Sequence, residues 1–171
     1  MTKAIRAVIV VFCLVWISGC GLDIIEFDVT EEGYAGLTGV NVPGLGGFSS
    51  SLQSGLSGQG VDPGDVDSMR ILSGTLEMTS QGGLTEDLSF FKKLDFNLSA
   101  TGMNTHRLAY TPTLSSGTKQ VDLLVDSELE LKNYLDAGGM QVAIDAELDP
   151  PPPDMVEIKI VFKVRVDVNV M

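Results

Sequence analysis

His106 is the only histidine in this 171-residue chain, and Cys13 and Cys20 are its only cysteines. Nucleophilic catalysis through a serine would need His106 beside that serine and an orienting carboxylate. Nothing near position 106 supplies the signature. There is no G-x-S-x-G elbow, and residues 102–105 read as a turn, which makes His106 a surface residue. Zinc would need three carboxylates or water beside this one imidazole. Asp62, Asp65 and Asp67, gathered around Gly64, are the weak metal candidates, because calcium takes oxygen ligands from such loops. Their spacing misses the EF-hand pattern and no glutamate completes it, so they read as turn and strand-flanking residues. Glu86 with Asp87, and Glu128 with Glu130, fit helix amino ends. Carboxylate pairs for glycosidic chemistry are not readable from spacing. The glycines match no phosphate-cradling motif. The run Pro150 to Pro153 is either a polyproline ligand or, more plainly, a stiff joint between strands. The expectation is a non-catalytic chain without a cofactor.

Cys20 stands apart because of what precedes it. Lys3 and Arg6 give a basic start, residues 7–17 are uninterruptedly apolar, and Ile17-Ser18-Gly19 leads into the thiol. A charged start, a short apolar middle and a small-residue exit make a secretory signal. The apolar run is shorter than the roughly 20 residues of a membrane span. The segment resembles the signal peptide and lipobox of bacterial lipoproteins, although Ile17 and Trp16 depart from the commonest form. The resemblance covers residues 1–20 and implies cleavage before Cys20, with a diacylglycerol on its thiol. An uncleaved amino-terminal anchor and a structural cysteine are the other readings. Gly21 follows the cysteine where Asp would favour inner-membrane retention, so the resemblance favours the outer membrane. One acyl chain gives reversible attachment, whereas two or three on one residue hold firmly.

Loss of residues 1–19 removes Cys13, Trp16, Lys3 and Arg6. What remains is 152 residues with nine basic against 23 acidic side chains, a formal −14. That length buries a core without staples, and it must, since the remaining thiol is the one to be acylated. Such acidity excludes nucleic acid, whose phosphates need a basic face. It also excludes electrostatic docking on anionic lipid, leaving the acyl group as the link to the membrane. Like charge on a soluble surface is the plain explanation of the acidity.

The segments that must position these residues are mostly strands. Ile25, Phe27 and Val29 alternate with Glu26, Asp28 and Thr30. Residues 33–64 are rich in Gly and Ser, which favours a poorly ordered loop. Val40 and Val42 also permit a short strand there, and Phe48, Leu52 and Leu56, four apart, permit a weak helix packed on the domain or an apolar face for a membrane or partner. After a turn at residues 62–65, strands are expected over 69–78 (Leu72, Gly74, Leu76 and Met78 on one side), 94–100, 108–111 and 121–125. Residues 85–92 permit a short helix capped by Thr85 or Asp87. Ser127 to Glu130 form a capping box before Leu131, Tyr134 and Leu135, with Gly138 as the stop. Met140, Val142, Ile144, Ala146 and Leu148 alternate. Beyond the prolines, every second residue from Val156 to Val170 is apolar. A strand buries that whole set on one face, whereas a helix would scatter it. Its length calls for a bulge, a bend or a passage between sheets.

These patterns define an all-β fold, a mostly antiparallel β-sandwich with one or two short helices, and a β-barrel as the second choice. The expected organisation is a signal peptide over 1–19, a lipidated amino terminus with first strand and Gly/Ser-rich segment over 20–60, and the main β-region over 61–171. The expected role is that of a cell-envelope lipoprotein, anchored through Cys20, that binds a protein, lipid or glycan partner or serves structurally. A carrier of apolar ligands and an adhesion or carbohydrate-binding module are the alternatives. An enzyme is the remote one.

Overall fold

The computed structural model describes residues 23–80 and 87–169. Eight strands form one antiparallel sheet: β1 (Asp23–Gly36), β2 (Gly39–Asn41), β3 (Val66–Met78), β4 (Phe91–Ser99), β5 (His106–Tyr110), β6 (Gln120–Val125), β7 (Gln141–Leu148) and β8 (Val156–Val168). Their order is β2-β1-β8-β3-β6-β5-β4-β7. The sheet curls until its ends approach, giving a nearly closed barrel. The group β2-β1-β8-β3-β6 joins β5-β4-β7 through two register pairs, Ala109↔Val125 and Tyr110↔Leu124. The sheet therefore takes the barrel form, which the strand pattern offered second to a sandwich.

β8 is the spine. Val156, Ile158, Ile160, Phe162, Val164, Val166 and Val168 all point inwards and are buried, and the strand pairs with β1 and β3 along its length. Val170 lies outside the described residues. The break expected in so long a strand does not occur in β8. The register shifts lie opposite it in β3, between Val66 and Ser68 and between Ile71 and Ser73. Each extra residue there bends β3 around the straighter β8. The second shift also turns Leu72 outwards, away from the buried side that simple alternation assigns it; Ile71 is buried instead.

The interior is filled by side chains. Phe162 of β8 meets Phe96 of β4 edge-on, with ring centroids 5.6 Å apart. Gly74 lies opposite Phe162 in the β3–β8 register, and a Cβ there would stand 3.0 Å from the Phe162 ring. Leu76, Leu94, Leu98 and Met69 complete the same wholly buried cluster. Eight strands enclose a space that side chains can fill.

A helix closes the seam of the barrel. No ladder joins β7 to β1 or β2 among the described residues. A 3-10 turn over Pro43–Gly47 and helix α1 (Phe48–Gly58) lie against both β1 and β7. α1 has no side-chain N-cap, and five serines and Gly55 weaken it further. Packing makes it a helix: Phe48, Leu52 and Leu56 share one face and are wholly buried. Phe48 adds a second edge-on contact to Phe162, at 5.8 Å. The poorly ordered loop expected over this segment is therefore replaced by an ordered plug, and the apolar face is turned inwards to the barrel. Gly55 permits the approach, since a Cβ there would overlap the Phe27 ring.

Two local expectations are corrected. Residues 85 and 86 lie outside the described residues, but 87–90 are a bend and turn, not a helix, and β4 begins at Phe91. Leu88 and Phe91 do face inwards; Asp87 caps a turn in place of a helix, its Oδ1 accepting from the Ser89 amide at 2.8 Å. Helix α2 (Leu131–Ala137) starts one residue after the expected capping box. Glu130 is itself the N-cap, accepting from the Lys132 amide, so Ser127 takes no part. Gly138 ends α2 as expected, with a positive φ of 74° that favours glycine, but its ψ of 161° is extended and not the left-handed helical cap.

Candidate functional site

β1 begins at Asp23, with only Gly21 and Leu22 between it and Cys20. Three peptide units reach at most about 11 Å. Cys20 itself lies outside the described residues, but this end of the barrel is covalently bound to stay near it. The start of β1, the end of β8 and the residues after α1 meet here around an open cleft of about 390 Å³. Asp23, Ile25, Gln59, Gly60, Val61, Asp65, Val168 and Asn169 line it. Its lining mixes carboxylates with a few aliphatic groups.

Asp62, Asp65 and Asp67 lie at this same end, where their roles are local. Asp62 Oδ1 accepts from the Gly64 amide at 2.9 Å and caps the 3-10 turn Pro63–Asp65. The Asp65 amide donates to the Asp62 carbonyl, and the Asp65 carbonyl accepts from the Asn169 amide, closing the barrel end. Asp67 is exposed at the first register shift of β3. Among the described residues, no group of three or more His, Cys, Asp or Glu side chains is placed to hold a metal ion.

His106 opens β5 and is exposed on the barrel wall, and its Nε2 is 2.8 Å from Asp126 Oδ2. That hydrogen bond, helped by the Glu128 and Leu129 amides, holds the Asp126 carboxyl below its ordinary range. Among the described residues Asp126 is the side-chain partner of His106, and no serine joins the pair. It pins β5 to the turn after β6.

Three carboxylates do more than the spacing suggests. Glu130 Oε1 accepts from the Met69 amide at 2.7 Å as well as from Lys132, and Oε2 lies 3.6 Å from Arg70 Nε, tying α2 to β3. Asp87 Oδ2 accepts from the Gly117 amide and the Ser116 hydroxyl, stapling two loops together. Hydrogen bonds from the Ser89 hydroxyl first, then the Gly117 and Ser89 amides, lower its pKa to about 2. Glu31, the buried charged residue of the described core, accepts from Ser51 Oγ at 2.7 Å and latches α1 to β1. Only its place in an alternating strand hinted at it: position 31 falls on the inward face of β1, where a carboxylate needs a donor.

The far end of the barrel carries exposed apolar groups. Leu37, at the tip of the β1–β2 hairpin, is 73% exposed, and Met155, just before β8, is 67% exposed. Sequence patterning missed both, because each lies in a turn or connection where no period applies. Among the described residues no helix is long and apolar enough to cross a membrane. No known protein family matches the chain, and comparison with curated proteins and with solved structures finds no match either.

Proposed function

We propose that the protein is a cell-envelope lipoprotein, held by acyl chains on Cys20, whose β-barrel works as a non-catalytic binding or structural module. The observation that carries this reading is the pattern over residues 3–20, ending three residues before β1. So short a link keeps one barrel end against the bilayer and turns the other outwards. Acyl chains are the favoured anchor, because the mature chain, at a formal −14, is repelled overall by anionic headgroups. The outer membrane is the favoured site.

The character of the domain supports binding over catalysis. His106 and Asp126 form an exposed structural pair, and the acidic cluster is used in turn closure. The filled interior, with Phe48, Phe96 and Phe162 meeting across it, favours recognition at the surface over carriage of a ligand inside.

Mass spectrometry of the membrane-extracted protein tests the anchor. The expected product begins at Cys20 and carries the added mass of a diacylglycerol, with or without a third acyl chain. Cys20→Ser is expected to move the chain from the membrane fraction to the soluble one. A Cys20→Ser protein that has lost its leader and still sediments with membranes refutes the proposal.

A further inference from the structure

The geometry points to the barrel end opposite Cys20 as a docking surface for a cationic protein segment with an apolar anchor. Leu37, Met155 and Tyr34 receive the anchor, and Glu32, Asp154 and Glu157 receive its basic flanks. This inference rests on the tethered-module reading above and names the class of partner.

Three features place the apolar groups together. Gly36 and Gly39 pair across the β1–β2 hairpin, so Leu37 stands at its tip. Met155 lies beside Gly36, with its Cγ 3.4 Å from the point a Cβ there would occupy. Tyr34 is opposite Glu157 on β8 and Asn41 on β2, and its hydroxyl accepts from Asn41 Nδ2 at 2.9 Å, which fixes the ring. Tyr34 is 37% exposed. Pro151 and Pro153 are exposed in the neighbouring β7–β8 connection. A fixed aromatic ring beside a flexible Met is a composition enriched at interface centres, and Leu37 extends the apolar area beside them.

The charge around this patch selects the occupant. Three of the lysines at this end are engaged, Lys159 with Glu77, Lys92 with Asp149, and Lys93 with Asp145. Lys119, exposed just before β6 where its carbonyl accepts from the Met78 amide, has no ion pair among the described residues. Exposed Glu32, Asp154 and Glu157 have no ion-pair partner among the described residues. An apolar centre ringed by carboxylates complements an apolar anchor flanked by Lys or Arg. A second copy would bring the same carboxylates and a net −14 to the contact. A bilayer is the wrong occupant for this end, because β1 runs about 40 Å between Asp23 and Gly36 at roughly 3.3 Å per residue.

The test uses the acylated mature chain in detergent, and in parallel its Cys20→Ser form. Two fluorescent peptides serve as probes, one with a Phe-Leu centre flanked by lysines and one with the same centre flanked by glutamates. The lysine peptide is expected to bind both protein forms, and the glutamate peptide neither. Leu37→Asp with Met155→Asp is expected to weaken binding at least tenfold. Glu32→Lys with Asp154→Lys and Glu157→Lys is expected to abolish it and to admit the glutamate peptide. Leu124→Asp, at an exposed apolar site on β6, is expected to change nothing. All these positions are exposed, and circular dichroism checks that the fold survives. Absence of binding, equal binding by the patch variants, or a patch-dependent dimer or attachment to anionic vesicles overturns the inference. Because binding is read in the Cys20→Ser form as well, failure of the anchor and failure of the docking surface are separate results.

Discussion

Gly55→Ala separates two opposed forces on α1. In a solvent-exposed helix, alanine in place of glycine stabilises by about 1 kcal/mol, through backbone entropy. Here the new methyl would overlap three atoms of the Phe27 ring. The ring is rigid and itself buried against the core, so the helix must lift from β1 or the ring must leave its place. Overpacking of this kind costs about 1–3 kcal/mol, and a clash with the body of an aromatic ring belongs near the upper end. The expected net effect is destabilisation of about 1–2 kcal/mol after the helix gain is subtracted. Urea unfolding of the Cys20→Ser mature chain, followed by far-ultraviolet circular dichroism, measures it. The companion variant Phe27→Ala removes all three overlapping atoms, so Gly55→Ala in that background should cost less than in the parent. If Gly55→Ala stabilises the protein by the helix increment alone, α1 does not pack on β1 at this point, and the seam-closing role argued for it is wrong.

Other outcomes follow from the same structure. Phe162→Ala removes the ring that both Phe48 and Phe96 meet and should cost about 3–5 kcal/mol in the same unfolding assay. Glu130→Ala strips α2 of its cap and leaves the Met69 amide without its acceptor; a loss of about 2 kcal/mol is expected. Asp87→Asn should destabilise by about 1 kcal/mol at neutral pH, after discounting for solvent screening. Its folded pKa of about 2 lies below the ordinary 3.8, so its contribution is full above the ordinary value and vanishes as pH falls through the interval between them. Parent and variant stabilities should therefore converge at the acid end of a pH series, and a gap that stays constant counts against the staple.

The strands were legible because burial on one face imposes a period of two, and β8 shows it without interruption. What alternation cannot register is an extra residue. The shift between Ile71 and Ser73 moves Leu72 to solvent while leaving the composition of β3 unchanged. Helix α1 was legible as spacing but not as structure, since its Ser and Gly residues argue for disorder and its stability comes from Phe162, more than a hundred residues away. The turn at 87–90 was misread for a related reason: Asp87 is a good cap for either a helix or a turn, and partners in the 115–118 loop decide which. Asp62 and Asp65 were legible as turn residues and serve in the 3-10 turn Pro63–Asp65, whereas Asp67 lies in β3 at its first register shift. Glu31 and the Leu37–Met155 pair were not legible, because their significance lies in what a distant segment brings beside them.

The same logic explains how a barrel can leave β1 and β7 unzipped. A missing ladder exposes backbone donors and acceptors on β7 and on the part of β1 that the short β2 does not cover, which invites pairing with other chains. A weak helix offers little in backbone energy, but each fully buried Phe or Leu that it inserts contributes about 1.5–3 kcal/mol. Phe48, Leu52 and Leu56 together contribute about 4.5–9 kcal/mol, more than the roughly 3–4 kcal/mol of helix propensity lost at the serines and Gly55. The plug is therefore held by its side chains, with Ser51 on Glu31 fixing its register on the wall. An apolar ligand could enter this interior only by displacing those three side chains with an equal apolar volume. That requirement is what makes the surface, and the end turned away from Cys20 above all, the place where recognition costs least.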